Sequence, residues 1–474
     1  MKIRTVFSGI SALAIISASF SAFAAEEKIG LDKRKDLSVA IYNSNLALVK
    51  DKRSVDLSSG INDLAFIDVS AQIRPETALL QGKGIKVLEQ NFNFDLLSPA
   101  SLLEKYIGRQ IKVISTNPAT GIEKTEDAIV LSTEGGTVLK IGNRIETGFV
   151  GRYIFPDIPA NLRDRPTLVL KLFSKAKNTT DIELGYLTKG LSWKADYVAE
   201  LNEKEDALRL NAWVTLTNTS GVSYDNATVQ LIAGTVNQVV PQVRGMYMAK
   251  NVAFAEAASM DAVGGAKEES FMDYHLYTLN DRTSVLSNQT KQVALLSSPQ
   301  VLLTKEYRLD NPFAIYNKLK AREYQSRNPS VFLKFNNNEK SGLGIPLPAG
   351  VFRVYKADSS QKLLFVGEDS LRHTPKNEDV KIKLGEAFDV TVKAKNVGYQ
   401  QYSDKSYEAS FEVLVKNAKE SDAVVSLYQN LPNGWKILSE NINSSKENAN
   451  QVLWQVKVPK NGEKTLKVKI FVAN

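Results

Sequence analysis

The sequence predicts a mainly β protein made of several antiparallel β-sandwiches, with one short helix near 99–107. Three observations predict it. Apolar and polar residues alternate along much of the chain, the two-residue period of a half-buried strand. The alternating runs stop at clusters of Asn, Ser and Gly, which separate short strands. Helical periodicity is scarce.

The stretch GLSWKADYVAEL, Gly190 to Leu201, shows the alternation best. Leu191, Trp193, Ala195, Tyr197, Ala199 and Leu201 share one face. Ser192, Lys194, Asp196 and Glu200 share the other, with Val198 as the exception. This places Trp193 and Tyr197 in a core, and Lys194 and Asp196 in water. LRLNAWVTLTNTSG repeats the pattern through Leu208, Leu210, Ala212, Val214 and Leu216, then stops at Asn218–Gly221. FDVTVKAKNVG alternates up to Asn396, FEVLVKNAKESDA up to Asn417, and KTLKVKIFV near the end of the chain. Short strands with turn signals at this spacing predict an immunoglobulin-like sandwich over the last hundred residues, with Trp435 and Trp454 in its core.

The helix is predicted in LSPASLLEKYIGR. Ser98 caps it, Pro99 suits the first turn, Leu102, Leu103 and Tyr106 share a side, and Gly108 ends it. The chain thus divides into a leader over 1–24, a linker over 25–35, and a β domain with the helix over 36–175. A central sandwich over 176–375 and the immunoglobulin-like sandwich over 376–474 follow. The central domain is interrupted at 246–272 by a stretch rich in Ala and Met without a two-residue period, which predicts a flexible surface insertion.

The chain opens with Lys2 and Arg4, an apolar run and Ala22-Phe23-Ala24. That is the form of a secretory signal peptide cleaved after Ala24, so the protein is expected to be exported, to the periplasm or the cell surface. No later stretch is apolar for long enough to cross a membrane as a helix. There is no cysteine, so no disulfide, thiolate metal site, thiol nucleophile or acyl anchor can contribute. The formal net charge of +8 is spread among interspersed acids and bases. A nucleic-acid binder would gather its cations on one face, so none is expected as partner.

Several stretches together resemble a family of secreted bacterial proteins defined by a domain of unknown function numbered 4139. They are LGYLTKGLSWKADYVAEL, NAWVTLTNTSGVSYDNATVQLIAGTV, DYHLYTL with TKQVALL, LPAGVFRVYKAD, FVGEDSLRHTP and LGEAFDVTV, preceded by DLLSPASLLEKYIGRQIKV. The chain is distantly similar to mucoidy-inhibitor proteins too, but lacks the sustained heptads of their coiled coil. The resemblance implies a β-sandwich and an envelope setting, and brings no catalytic residues with it.

The residues themselves point to little chemistry. The two histidines, His275 and His373, have Asp273 and Asp369 as nearby acids in sequence, but no G-x-S-x-G elbow accompanies them. His275 is expected to pack on a half-buried strand. Acids in GEDS (Gly367–Ser370) and TED (Thr125–Asp127) are read as solvated turns, although two carboxylates at the right separation would suffice for a glycosidase. There is no H-E-x-x-H, EF-hand loop or phosphate-binding glycine loop. Met246, Met248, Met260 and Met272, with His275, offer thioethers of the kind that take Cu(I), and equally a pliable contact surface. Lys457, Lys460, Lys464, Lys467 and Lys469 are read as guards of edge strands. The expected function is a non-enzymatic cell-envelope protein. It needs no cofactor and binds another protein or an envelope polysaccharide through loops, the methionine segment or strand edges. A carboxylate-dependent hydrolase of cell-wall or exopolysaccharide glycans is the alternative, and copper binding by the insertion a weaker one.

Overall fold

In a computed structural model the protein is mainly β, with a single α-helix among the described residues. These are 26–93, 95–159, 162–234, 236–238, 266–315, 326–403 and 406–473. Two compact units form: Met1–Lys35 with Asp51–Ala71 and Ala78–Leu184, and Asp36–Lys50 with Gln72–Thr77 and Gly185–Asn474.

The first unit contains a four-stranded sheet ordered Glu27–Ile29, Gly60–Ile67, Thr167–Ser174, Ile85–Asn93, and a five-stranded sheet spanning Gln110–Ile154. The helix runs Pro99–Lys105. The Ser98 hydroxyl accepts from the Ser101 N–H at 3.0 Å, and the Ser101 hydroxyl accepts in turn from the Ser98 N–H at 2.9 Å. Leu103 and Tyr106 bury against Ile111, Val113, Val130, Leu139 and Ile141. Gly108 takes a φ of 78°, which only glycine adopts without strain, and so turns the chain out of the helix.

An ion cluster is buried in this unit. Arg53 is fully buried and lies over the Phe66 ring. It donates to the carbonyls of Ile29 at 2.6 Å and Ile67 at 2.9 Å, and to Asp51 at 2.7 Å. Arg34 donates to both Asp51 oxygens, to Oδ1 at 3.0 Å and to the Oδ2 it shares with Arg53 at 2.8 Å. Burial alone would raise the Asp51 pKa, but the two guanidinium groups reverse this and hold it below the usual carboxylate range.

The second unit holds two sandwiches that share part of their wiring. In the second of them, one sheet is ordered Asp379–Glu386, Ser330–Asn336, Thr304–Asp310, Ala423–Asn430, Gln451–Val458, Ser444–Asn448. The other is ordered Val390–Ser403, Ser406–Asn417, Gly462–Ala473, Trp435–Glu440. Their shared core packs Phe313 on Phe411 at 4.1 Å, with Trp454 fully buried beside them and Trp435 half-buried at the margin. Two strands that precede the boundary expected at 375, Thr304–Asp310 and Ser330–Asn336, belong to this sandwich.

The first sandwich repeats the plan. Its hairpin Leu191–Leu201 with Ala207–Asn218, and the third strand Gln289–Leu302, correspond to Val390–Ser403, Ser406–Asn417 and Gly462–Ala473. Tyr224–Ala233 runs parallel to residues 38–42, as Ala423–Asn430 runs parallel to 307–310. The segment 246–272, expected as one loop, contains a strand at its end. Ala266–Phe271 pairs antiparallel with Tyr274–Leu279.

Asparagine closes both sandwiches in the same way. The Asn218 amide donates to the carbonyls of Val222, Val285 and Leu286 at 2.9–3.0 Å, and its oxygen accepts from the Ser220 N–H. The Asn417 amide donates to Ser421, Val458 and Pro459, and its oxygen accepts from the Lys419 N–H. Both residues are buried. Replacing Asn417 with Ala leaves three carbonyls without this donor. Urea unfolding should show a loss of about 3 kcal/mol, since each buried unsatisfied group costs about 1–3 kcal/mol.

Candidate functional site

The open face of the first sandwich gives the best candidate. Its five-stranded sheet is ordered Gln289–Leu302, Ala207–Asn218, Leu191–Leu201, Gly350–Ala357, Leu363–Leu371. The inward face is packed: Tyr197 stacks on Phe352 at 5.7 Å and donates to the Pro348 carbonyl at 2.7 Å. The Trp193 indole donates to the Ile232 carbonyl at 3.3 Å.

On the outward face a polar ladder takes one side chain from each strand. Gln292 donates to the Thr215 hydroxyl at 3.1 Å, and Thr215 donates to Asp196 at 2.6 Å. Arg353 donates to the other Asp196 oxygen at 2.9 Å, and its Nε lies 3.1 Å from Glu368. Lys194 flanks Asp196 at 3.8 Å. Asp196 is therefore not in water, as alternation alone implied; it is only 6% exposed. Burial would raise its pKa, but the Thr215 hydroxyl and the Arg353 and Lys194 cations outweigh that and lower it. The alternation assigned the face correctly. Arg353 could not be anticipated, because it arrives on a parallel strand from far along the chain.

Directly across from Asp196 stands Trp213, 40% exposed, with the small, exposed Ala294 on its other side. Asn211, next on the same face, accepts from the Ser297 hydroxyl at 2.8 Å. Tyr355 and Phe365 meet edge-to-face at 5.7 Å toward the far side of the sheet. The result is an open sheet surface with an exposed indole among hydrogen-bonding groups that already hold one another in place.

The other sequence candidates fall elsewhere. His275 Nδ1 lies 2.9 Å from the buried Glu268, not paired with Asp273. His373 Nδ1 accepts from the Ala349 N–H at 3.2 Å, and burial lowers its pKa, with His275 adding a smaller push. Asp369 accepts the N–H groups of Ser370 and Lys383, while Glu126 pairs with Arg144 and Asp127 with Lys112. Met272 is exposed in the turn between two strands; Ala22, Ala24, Met246, Met248 and Met260 lie outside the described residues. Among the described residues no three His, Asp or Glu side chains converge as a metal site.

Gly462–Ala473 and Gln451–Val458 each pair on both sides over part of their length: Lys469 has a neighbouring strand on either side, whereas Lys457 and Lys464 lie where only one side is paired, as edge guards would. Lys467 and Lys469 instead form cross-strand pairs with Glu412 and Glu408 at 3.3 and 2.6 Å.

These features define a β protein whose second unit holds two sandwiches, one of them with an open, pre-set polar and aromatic face. Residues 182–473 match the family described as a domain of unknown function, DUF4139, and the chain belongs to that family. No curated protein matches the chain.

Sequence alternation also missed Glu205, which sits in a turn at a φ of 59° and bridges Lys305 at 2.5 Å and Lys356 at 2.6 Å. Burial would raise its pKa; the two lysines bring it from 4.5 down to about 2. A lowered carboxyl pKa gives stability that is complete above the unfolded value and lost as pH falls through the folded one. Glu205→Gln should therefore flatten the acid arm of the stability curve between pH 4.5 and about 2, measured by urea unfolding across that range.

Proposed function

We propose that this is an exported cell-envelope protein that binds an extended polysaccharide, without cleaving it, on the open sheet face around Trp213. The observation that carries this is the exposed indole on the open sheet face beside the Asp196–Arg353 ladder. A sugar ring presents an apolar C–H face that stacks on an indole, and hydroxyl groups that bond to neighbouring polar side chains. Asn211, Ser297 and Lys194 supply such neighbours. An open sheet face suits a long polymer, which needs no deep pocket.

Export rests on the Lys2, Arg4 and Ala22-Phe23-Ala24 pattern.

Co-sedimentation of the purified chain with insoluble cell-wall glycan and capsular polysaccharide of its host tests the reading. Trp213→Ala should weaken binding tenfold or more, about 1.4 kcal/mol, with thermal unfolding unchanged. Equal binding by the variant, or release of reducing ends by the parent chain, would sink it. In the native host the mature protein should begin at Ala25, read by N-terminal sequencing; an intact Met1 would contradict export by cleavage.

A further inference from the structure

The outward face of the five-stranded sheet carries more than Trp213. Val198 breaks the polar alternation there, standing half-buried on the side of its strand that also bears Lys194, Asp196 and Glu200. The register shows what it joins. Trp213 is opposite Asp196, Asn211 opposite Val198 and Arg209 opposite Glu200. On the other side of the same strand Arg353 lies beside Val198, and Tyr355 beside Glu200. Trp213, Val198 and Tyr355 therefore fall on one diagonal of the sheet. The edge strand Leu363–Leu371 ends the line. Its ladder passes from Gly367 opposite Val354 to Phe365 opposite Tyr355 and skips Val366. In a regular strand Val366 would stand on this face and Phe365 would point inward. The bulge turns the ring outward instead, as bulges re-aim side chains. Phe365 is 56% exposed and meets Tyr355 edge-to-face.

Polar groups line this apolar diagonal on both sides. Asp196, Arg353 and Glu368 stand on one, and Asn211, Arg209 and Glu200 on the other. The charges meet one another. Lys194 and Arg353 share Asp196 at 3.8 and 2.9 Å, Arg353 also holds Glu368 at 3.1 Å, and Arg209 lies 3.7 Å from Glu200. Three cations balance three anions along the diagonal. A charged ligand would have to break one of these pairs to make its own, so complementarity favours an uncharged one.

We propose, resting on the polysaccharide reading above, that Trp213 and the Tyr355–Phe365 pair are two stacking platforms of one track, and that its occupant is an uncharged, equatorially linked glycan chain laid obliquely across the strands. Such a chain is a ribbon with apolar C–H faces and hydroxyl groups along both edges. The track has the matching chemistry, with rings and Val198 beneath the ribbon and hydrogen-bonding groups along each side. The platforms are two diagonal steps apart, about 15 Å at ~7–8 Å per step. One sugar ring cannot touch both, so the ligand is an oligomer or a polymer.

Calorimetric titration of the purified chain with cello- and chito-oligosaccharides of increasing length tests this, with oligogalacturonides of matching length as charged probes. Monosaccharides should not bind measurably. Affinity should climb roughly tenfold or more once a chain reaches from Trp213 to Phe365, because the second platform is then engaged within one complex. That length dependence is read on the parent chain and needs no variant. Phe365→Ala should lose the gain on long oligomers, and on any host polymer that co-sediments, while short oligomers bind as before. Trp213→Ala should weaken both. Binding of long chains by Phe365→Ala equal to the parent, with Trp213→Ala defective, would overturn the track and leave the polysaccharide reading standing. Tighter binding of oligogalacturonides than of neutral oligomers of equal length would overturn the uncharged occupant. Failure to bind any of these oligomers or the host glycans would overturn both, and a dimer of the parent chain lost in Phe365→Ala would then give the track to a second copy.

Discussion

The second unit depends on asparagine amides buried where strands end. A β-strand that stops inside a sandwich leaves carbonyl groups facing loops rather than a ladder, and each is costly if unmet. Asn218 and Asn417 meet this need, each reaching across to consecutive carbonyls of a separate strand end. Asn337 does similar work for a longer loop, donating to the carbonyls of Ile345 and Pro375. A chain without cysteine has no covalent means of tying these loops together. An amide with two donors and an acceptor is the smallest side chain that joins three segments at once.

The open face follows from the closed one. Because Trp193, Tyr197 and Phe352 fill the inward side, the hairpin cannot rotate, and its outward side chains stand at fixed heights. Ion pairs on a sheet surface contribute little to stability when isolated. In a ladder they have a different effect. Arg353, held by two carboxylates, and Asp196, held by a cation and a hydroxyl, each lose most of their rotamer freedom on folding. A ligand that meets them later does not have to impose that order.

Much of this was legible in the residues, and the failures have identifiable physical causes. The two-residue period located the strands because each buries one face. Ser98 with Pro99 located the helix because capping is local in sequence. The Asn-rich stops were recognised as turns, but their burial was not, since a polar residue after a strand signals solvent as readily as a satisfied amide. Asp196 was placed in water for the same reason; its partner Arg353 comes from a parallel neighbour, and parallel pairing leaves no short-range trace. Lys467 and Lys469 were assigned to an edge because nothing in an alternating run says how many strands lie beside it. Trp213 was passed over inside a run where every second residue was counted as core, although its own position falls on the polar side.

The parallel pairing of residues 38–42 with 228–232 bears on how the chain is made. Ser38 must find Thr228, and most of the first unit is threaded between them in sequence. During synthesis the early strand can pair at once with Leu46–Leu57, its neighbour on one side, but its other edge stays uncommitted while an entire inserted module passes. Contacts of such long sequence separation are slow to form and leave bare strand edges in the interval. The stretch recognisable as the family, 182–473, begins after that early strand. Produced alone it would lack the neighbour of Tyr224–Ala233 and present an unpaired edge, so the limits of the family and the limits of the folding unit are not the same.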